Sequence, residues 1–351
     1  MPQLTHGGDW AGFAAEYGTM PLDFSANISP LGLPDGVRTA MIEAAGKQDR
    51  YPDPLCRDLC AAIARSRKIP ADWVLCGNGA ADLIWRLALA EKPRRALLTA
   101  PTFAEYAAAL RSVGCEVVEY TLRPETDFAL DRKFLDAITP ETDLVLLCEP
   151  NNPTGRTTDP VLLHEVLDTC TANGTMLAVD ECFNEFLDAP GAHTLEGCLP
   201  DYPNLLIFKA FTKWYAMAGV RLGYVLSSNT ALLERLRAAG QPWAVSGLAQ
   251  AAGSAALQET EYSRTLHALI SAQRPRMMAG LAELGCRVVP GQANYLLFYH
   301  SRKDLVPALR KKGVLLRDCS NYTGLGPGWY RCAVRSGAEN DAFLQAMKEV
   351  L

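Results

Sequence analysis

What is scarce in this chain narrows its function first. Among 351 residues, 34 lysines and arginines face 39 acids, for a formal net charge of -5 at pH 7. A nucleic-acid backbone needs a basic field to hold it, so no nucleic-acid partner is expected. The longest apolar runs, such as LVLLC at 144–148, are strand-sized, whereas a bilayer-spanning helix needs about 20 apolar residues. No membrane association is expected either. There are five histidines and no H-x-x-x-H, so no metal site is expected. The eleven cysteines include no C-x-x-C pair and read as small core residues in a reducing compartment. The opening MPQLTHGGDWAGFAAEYG has no charged n-region and no long apolar run. No signal peptide is expected, and the cytoplasm is the expected location.

No internal repeat, low-complexity tract or long linker interrupts the chain. Short apolar runs alternate instead with helical patterns. WVLCGNG (73–79), RRALLTAP (94–101), CEVVEYTL (115–122), DLVLLCEP (143–150), TMLAVDECF (175–183), NLLIFKAF (204–211) and RLGYVLSS (221–228) read as strands with their exits. AADLIWRLALAE, FAEYAAALRSVG and PVLLHEVLDTCTANG read as helices between them, two of them closed by glycine. Apolar runs of this length between helices predict a mostly parallel sheet covered on both faces. After about residue 230 the pattern changes to a long helical stretch at about 248–285, then short strands and a closing helix. That is an α+β module, and ligands are expected where it meets the α/β part.

One segment demands a chemical explanation. In AFTKWYAMAGVRLGY (210–224), Lys213 stands among small and aromatic residues, and Arg221 follows eight positions later. Lysine is rarely buried without a task. A desolvated amine has a lowered pKa and condenses with aldehydes. Arg221 is placed to neutralise a dianion, and Thr212 offers it a hydroxyl. Taken alone, Lys213 reads as a surface lysine, but other segments argue against that. Asp180 ends an apolar strand, where a carboxylate can keep a pyridine nitrogen protonated. Asn152 in EPNNPTG can bond a ring oxygen, and Phe103 in PTFAEY can stack on a ring. The backbone N–H groups of Gly79, Ala80 and Ala81 open a helix and suit a phosphate. Together these features point to pyridoxal 5'-phosphate (PLP). Individually, each has a plainer reading as a turn, a cap or core packing.

GNGAAD after a strand also imitates the dinucleotide fingerprint G-x-G-x-x-G. It carries Asp82 in place of the third glycine, and the next strand, RRALLTAP, ends in no acid for a ribose. The nicotinamide reading therefore fails on two counts. A non-catalytic ligand-binding domain is a further rival. It would need an interaction extension that is not visible.

Seven segments in order, RYPDP, GNG, PTFAEY, NNPTG, VDE, TK with AGVRLGY, and YRCAVR, resemble the fold-type I PLP enzymes of the aspartate aminotransferase superfamily. Within it the chain is similar to the branch of histidinol-phosphate aminotransferases and threonine-phosphate decarboxylases. THGGD, LDFSANISPLGLP and NYTGLG look like the decarboxylases. The resemblance implies a large PLP-binding domain with a mostly parallel seven-stranded sheet between helices (31–230), a smaller α+β C-terminal domain (231–351) and an N-terminal arm (1–30). It implies that Lys213 forms the internal aldimine, Asp180 pairs with the pyridinium, Asn152 bonds O3' and Phe103 stacks. Ala80, Thr212 and Arg221 would hold the cofactor phosphate, with Tyr51 reaching it from the partner of a homodimer that shares its active sites. Arg331 would take the substrate carboxylate and Arg317 the substrate phosphate, helped by His6 and Asn27. The implied reaction is decarboxylation of L-threonine O-3-phosphate to (R)-1-amino-2-propanol phosphate, which supplies a side-arm of cobalamin. Histidinol-phosphate transamination and O-phosphoserine decarboxylation are the alternatives; one methyl group separates the phosphoamino acids by only about 1–3 kcal/mol.

Three positions depart from the branch. Phe183 stands where a tyrosine hydroxyl usually assists Asn152. Ala210 replaces a Ser or Thr, at a loss of about 1 kcal/mol for one phosphate hydrogen bond. Lys209 stands where arginine is frequent.

Overall fold

The structure is a computed structural model describing residues 6–351. The first five residues of the expected arm, including Thr5 of THGGD, lie outside the described residues.

The central sheet has seven strands: β2 (Val74–Gly77), β3 (Arg95–Ala100), β4 (Glu116–Thr121), β5 (Leu144–Cys148), β6 (Met176–Asp180), β7 (Leu205–Ala210) and β8 (Gly223–Leu226), after a short β1 (Leu22–Asp23) outside it. Their order is β2-β8-β7-β6-β5-β3-β4. Pairs among β7, β6, β5, β3 and β4 are parallel, while β8 runs antiparallel to both its neighbours. The sheet is thus mixed, with one reversed strand.

Side chains alternate across each strand, and both faces are covered. Val145, Leu147, Leu177, Val179, Leu205 and Ile207 enter one core. Leu144, Leu146, Cys148, Ala178, Leu206 and Phe208 enter the other, against the helices Ala80–Glu91 and Ala104–Ser112. This parity explains why the strands read as continuous apolar runs. It also sorts the polar residues at the strand ends. Asp180 is in register with Cys148 and Phe208 and emerges on the second face. Glu181 and Lys209 take the first.

There Lys209 is buried and pairs with Glu181 at 2.9 Å, Glu196 at 3.0 Å and Glu185 at 3.4 Å. Arg67 joins Glu185 at 2.8 Å and Glu196 at 3.1 Å. Lys209, flagged by its sequence context, therefore anchors an ion cluster behind the sheet. Burial opposes the charge on Glu185, yet Lys209 and Arg67 together hold its carboxyl down at about 2.

A second, antiparallel sheet is ordered β12-β13-β10-β9, from β9 (Arg287–Val288), β10 (Tyr295–Tyr299), β12 (Arg317–Asp318) and β13 (Trp329–Ala333). It packs on the helices Thr260–Glu283 and Gly337–Val350. The expected helical stretch at 248–285 is in fact two helices, Gly247–Ala256 and Thr260–Glu283. The N–H groups of Gln258 and Glu259 fold back onto Ala255 and Ala256 and close the first. β1 pairs in parallel with β11 (Val314–Leu315). This pairing stitches the N-terminal segment to the second module and brings residues 25–27 to the cleft.

All eleven cysteines are free and ten are buried. Among the described residues no helix is long and apolar enough to cross a membrane.

Glu149, just beyond β5, is buried and accepts the Thr158 N–H with both oxygens, at 3.1 and 2.9 Å. Burial raises its carboxyl from 4.5 to about 8. A folded-state pKa raised in this way adds stability that is complete below 4.5 and lost as pH rises through about 8. Glu149→Gln retains an acceptor without the charge. The melting temperature of the variant relative to the parent should rise by roughly 2 °C or more between pH 5 and pH 9 in thermal melts; a constant difference would contradict the assignment.

Candidate active site

A cavity of about 420 Å³ opens at the carboxyl ends of the parallel strands, the usual ligand position in such sheets. Five strand exits furnish it: β2 leads to Ala80 and Ala81, β3 to Phe103, β5 to Asn152, β6 to Asp180, and β7 to Thr212 and Lys213. The second module adds Arg317 and Arg331, and the N-terminal segment adds His6, Ser25 and Asn27.

Lys213 sits in the short helix Phe211–Trp214, whose backbone is tied down by the Ser29 N–H donating to the Lys213 carbonyl at 2.9 Å. Burial, reinforced by the Arg331 guanidinium, lowers its amine to about 8. Asp180 is buried. Its Oδ2 accepts the Tyr106 hydroxyl at 2.6 Å and its Oδ1 the Cys182 N–H at 3.0 Å.

The helix Ala80–Glu91 begins with no side-chain cap, leaving its first-turn amides to a ligand. Gly79 precedes it at φ +83°, and a Cβ there would lie 2.9 Å from Arg221 Nη2. Glycine thus lets the arginine close over the helix start. Arg221 itself holds φ +58°, unusual for a side-chain-bearing residue. Asp82, which spoiled the dinucleotide fingerprint, accepts the Asn78 N–H at 2.8 Å and pairs with Arg86.

Arg331 is buried and clamped: Nη1 donates to Asn152 Oδ1 at 2.5 Å and Nη2 to the Ser25 carbonyl at 2.9 Å. With Oδ1 so engaged, Asn152 keeps its amide N–H groups for a ligand. Among the described residues, Arg331 Nε and Asn27 Oδ1 are buried without a hydrogen-bond partner, as expected of groups that await one. Arg317 donates to Asn321 Oδ1 at 2.9 Å, and its guanidinium lies 5.3 Å from the Tyr322 ring centre. His6 is exposed and hydrogen-bonds Glu105 at 2.8 Å.

Of the residues singled out in the sequence, Lys209 lies behind the sheet and Tyr51 stands apart on the surface. It is 76% exposed and stacks on Trp243 at 4.4 Å, beside a separate surface groove. Phe183 lines the cavity and meets Tyr295 edge-on, and Ala210 lines it too. Sequence reasoning missed Tyr106, Glu105, Ser25 and Tyr322. Tyr106 was within reach: it lies three positions after Phe103, on the same side of a helix start.

Comparison with known proteins now bears on this geometry. The family Aminotransferase class I and II matches residues 19–347. This chain belongs to that family. Its cofactor is pyridoxal 5'-phosphate. A threonine-phosphate decarboxylase from Salmonella typhimurium is 39% identical over 352 aligned residues, 99% of this chain and 96% of that protein. Histidinol-phosphate aminotransferase 2 from Ralstonia nicotianae is 35% identical, over 93% of this chain and 88% of that one. The crystal structure of a histidinol-phosphate aminotransferase from Clostridium acetobutylicum superposes with a TM-score of 0.88 at 29% identity, covering 93% of this chain and 98% of that one.

The residues present fit the coenzyme of this aminotransferase family. An uncapped helix start and Arg221 suit its phosphate, a buried carboxylate its ring nitrogen, an amide donor its ring oxygen and a low-pKa amine its aldehyde.

Two outcomes are expected. In coenzyme-free protein, the acylation rate of Lys213 against pH should show a midpoint at about 8; a midpoint near the ordinary lysine value of about 10.4 would refute the buried setting. Gly79→Ala should weaken coenzyme binding about tenfold or more, measured by equilibrium dialysis, because the new methyl group is strained at positive φ and displaces Arg221.

Proposed function

We propose that this PLP-dependent enzyme decarboxylates L-threonine O-3-phosphate to (R)-1-amino-2-propanol phosphate. The observation that carries the reading is the count of cations: three arginines, Arg221, Arg317 and Arg331, line one cavity. A phosphorylated amino acid and the coenzyme together bring three anionic groups, two phosphates and a carboxylate. Arg221 serves the coenzyme phosphate with Gly79, Ala80, Ala81 and Thr212. Arg331 uses one N–H of each Nη on Asn152 and Ser25 and offers its unpartnered Nε–H to the substrate carboxylate. Arg317, with His6 and Asn27 nearby, takes the substrate phosphate through charge-assisted bonds.

The coenzyme, when bound, supplies an electron sink for the bond broken at the substrate's α-carbon. The protein decides which bond that is. Arg331 holds the carboxylate at a fixed angle to the ring that Phe103 stacks on. Asp180 balances the charge of the ring nitrogen, and Asn152 donates to the ring oxygen. An amine of pKa about 8 exchanges protons readily near neutrality, so Lys213 can return a proton to the α-carbon after CO2 departs. The same amine can remove the α-proton, and aminotransferases are among the relatives. Transamination of histidinol phosphate is therefore the second reading, and O-phosphoserine decarboxylation a close variant of the first. Identity to the decarboxylase over nearly the whole chain supports the order.

The division into an arm to residue 30, a coenzyme domain to 230 and a C-terminal domain belongs to the same proposal. So does a homodimer in which Tyr51, exposed here, completes the neighbouring site.

Incubation with L-threonine O-3-phosphate, O-phosphoserine or histidinol phosphate, each with 2-oxoglutarate, tests the reaction. Stoichiometric CO2 from the threonine compound is expected; glutamate without CO2 would overturn the decarboxylase reading. Arg317→Ala should raise KM for phosphorylated substrates about 10–100-fold, with little change for unphosphorylated ones. Mixing Tyr51→Ala and Lys213→Ala proteins should restore activity that neither has alone, if sites are shared between subunits.

A further inference from the structure

The buried pair of Tyr106 and Asp180 has no counterpart in the roles assigned so far. Tyr106 is fully buried at the start of the helix Ala104–Ser112, edge-on to Phe103 with ring centres 5.5 Å apart. Its hydroxyl donates to Asp180 Oδ2 at 2.6 Å. Aromatic packing alone needs no hydroxyl there. A phenol placed in a core must find a partner, and this one meets the acid that faces the coenzyme ring.

We propose that Tyr106 is a positioning residue that fixes the Asp180 carboxylate and limits how much of its charge reaches the coenzyme's ring nitrogen. The inference rests on the assignment of Asp180 to that nitrogen. Asp180 Oδ1 is engaged by the Cys182 N–H and Oδ2 by the phenol, so a bound pyridinium becomes the third donor on one carboxylate. Charge-assisted hydrogen bonds draw on the acceptor's charge, and each added donor leaves less for the others. Burial, and after it the Asp180 charge, raise the Tyr106 phenol well above its usual range. It therefore remains a donor throughout the range in which an enzyme works. The other titratable groups around Asp180 are Cys148, Cys182, Lys213 and Tyr295. Burial raises the thiols and the Tyr295 phenol, so the Lys213 nitrogen, free or joined to the coenzyme, is the neighbour left to change charge.

The consequence concerns the strength of the electron sink. With the phenol in place, the ring nitrogen is held by a carboxylate of reduced pull. Without it, the ring becomes more fully pyridinium, and the nitrogen joining Lys213 to the coenzyme gives up its proton at lower pH. This site also lacks a tyrosine hydroxyl at Phe183. A phenol that touches the acid rather than the ring oxygen thus supplies a separate means of setting the ring's electron demand.

The test is a pH titration of the visible absorption band of the holoenzyme, alongside the coenzyme dissociation constant, for wild type, Tyr106→Phe and Asp180→Asn. Tyr106→Phe should lower the midpoint by roughly half a pH unit or more and tighten coenzyme binding; Asp180→Asn should raise the midpoint. An unmoved or raised midpoint in Tyr106→Phe, with Asp180→Asn still shifting, overturns the role of Tyr106 and leaves Asp180 at the ring. No shift in Asp180→Asn removes the assignment of Asp180 and this inference with it. Should Tyr106→Phe fold poorly, uniform 3-fluorotyrosine labelling of the wild type strengthens the donor without removing it. It should raise the midpoint; a fall or no movement overturns the proposal.

Discussion

The register between β6 and β7 is the constraint on which the rest of the site depends. With Asp180 opposite Phe208, the acid leaves the sheet on the face covered by the helices Ala80–Glu91 and Ala104–Ser112. Lys213 arrives a few residues past the end of β7 at the same edge. A slip of β6 by one residue would exchange its faces. Asp180 would then point into the core behind the sheet, and Glu181 would face the cavity. The apolar runs of β5, β6 and β7, buried on both sides, make such a slip costly, since every side chain would change core.

The ion cluster behind the sheet follows from the same parity. Glu181 and Lys209 are next in sequence to residues of the cavity, so a charged residue is forced onto the far face at each of two adjacent strand ends. Unpaired, either would be severely destabilising; paired with Arg67, Glu185 and Glu196, they form a closed set. Such sets add little net stability compared with apolar packing. Their value here is geometric: they tie β6 and β7 to each other just below the cavity floor, where Asp180 and Lys213 must stay in fixed relation.

Much of this was legible in the sequence because strand ends and glycine turns carry local patterns. The seven strands and the helix Ala80–Glu91 follow from apolar runs and the glycines that punctuate them. Lys213, Asp180, Asn152 and Arg221 stand out because each is polar where the surrounding pattern is apolar or turn-forming. The break at 257–259 was not legible, since Gln258 and Glu259 are good helix formers and only the backbone closure ends the helix. Nor was the orientation of β8: the antiparallel return depends on how the chain crosses after Lys213, which no periodicity records. Ser25 acts through its carbonyl, and a backbone acceptor leaves no mark in side-chain chemistry. Tyr51 illustrates a different limit: its ring is exposed and stacked on Trp243, away from the cavity, and the role proposed for it depends on a second chain.

The arrangement also explains how one scaffold serves decarboxylases and aminotransferases. The proposed coenzyme grip is built from the large sheet's own exits: a helix start, an acid at a strand end, and a lysine after the next strand. The substrate grip proposed here comes from elsewhere, from Arg317 on β12, Arg331 on β13 and the segment after β1, all of which line the same cavity. Those pieces belong to a different sheet and core. Their side chains can be re-aimed without disturbing the register of β6 and β7. Arg331 is the link between the two grips, because its Nη1 holds the Asn152 amide while its Nε is left for a ligand. With a carboxylate on Arg331 and the ring oxygen on Asn152, as proposed, a small rotation of that guanidinium would move both together. On the proposed roles, one side chain thus joins the group that orients the carboxylate to the group that donates to the ring oxygen.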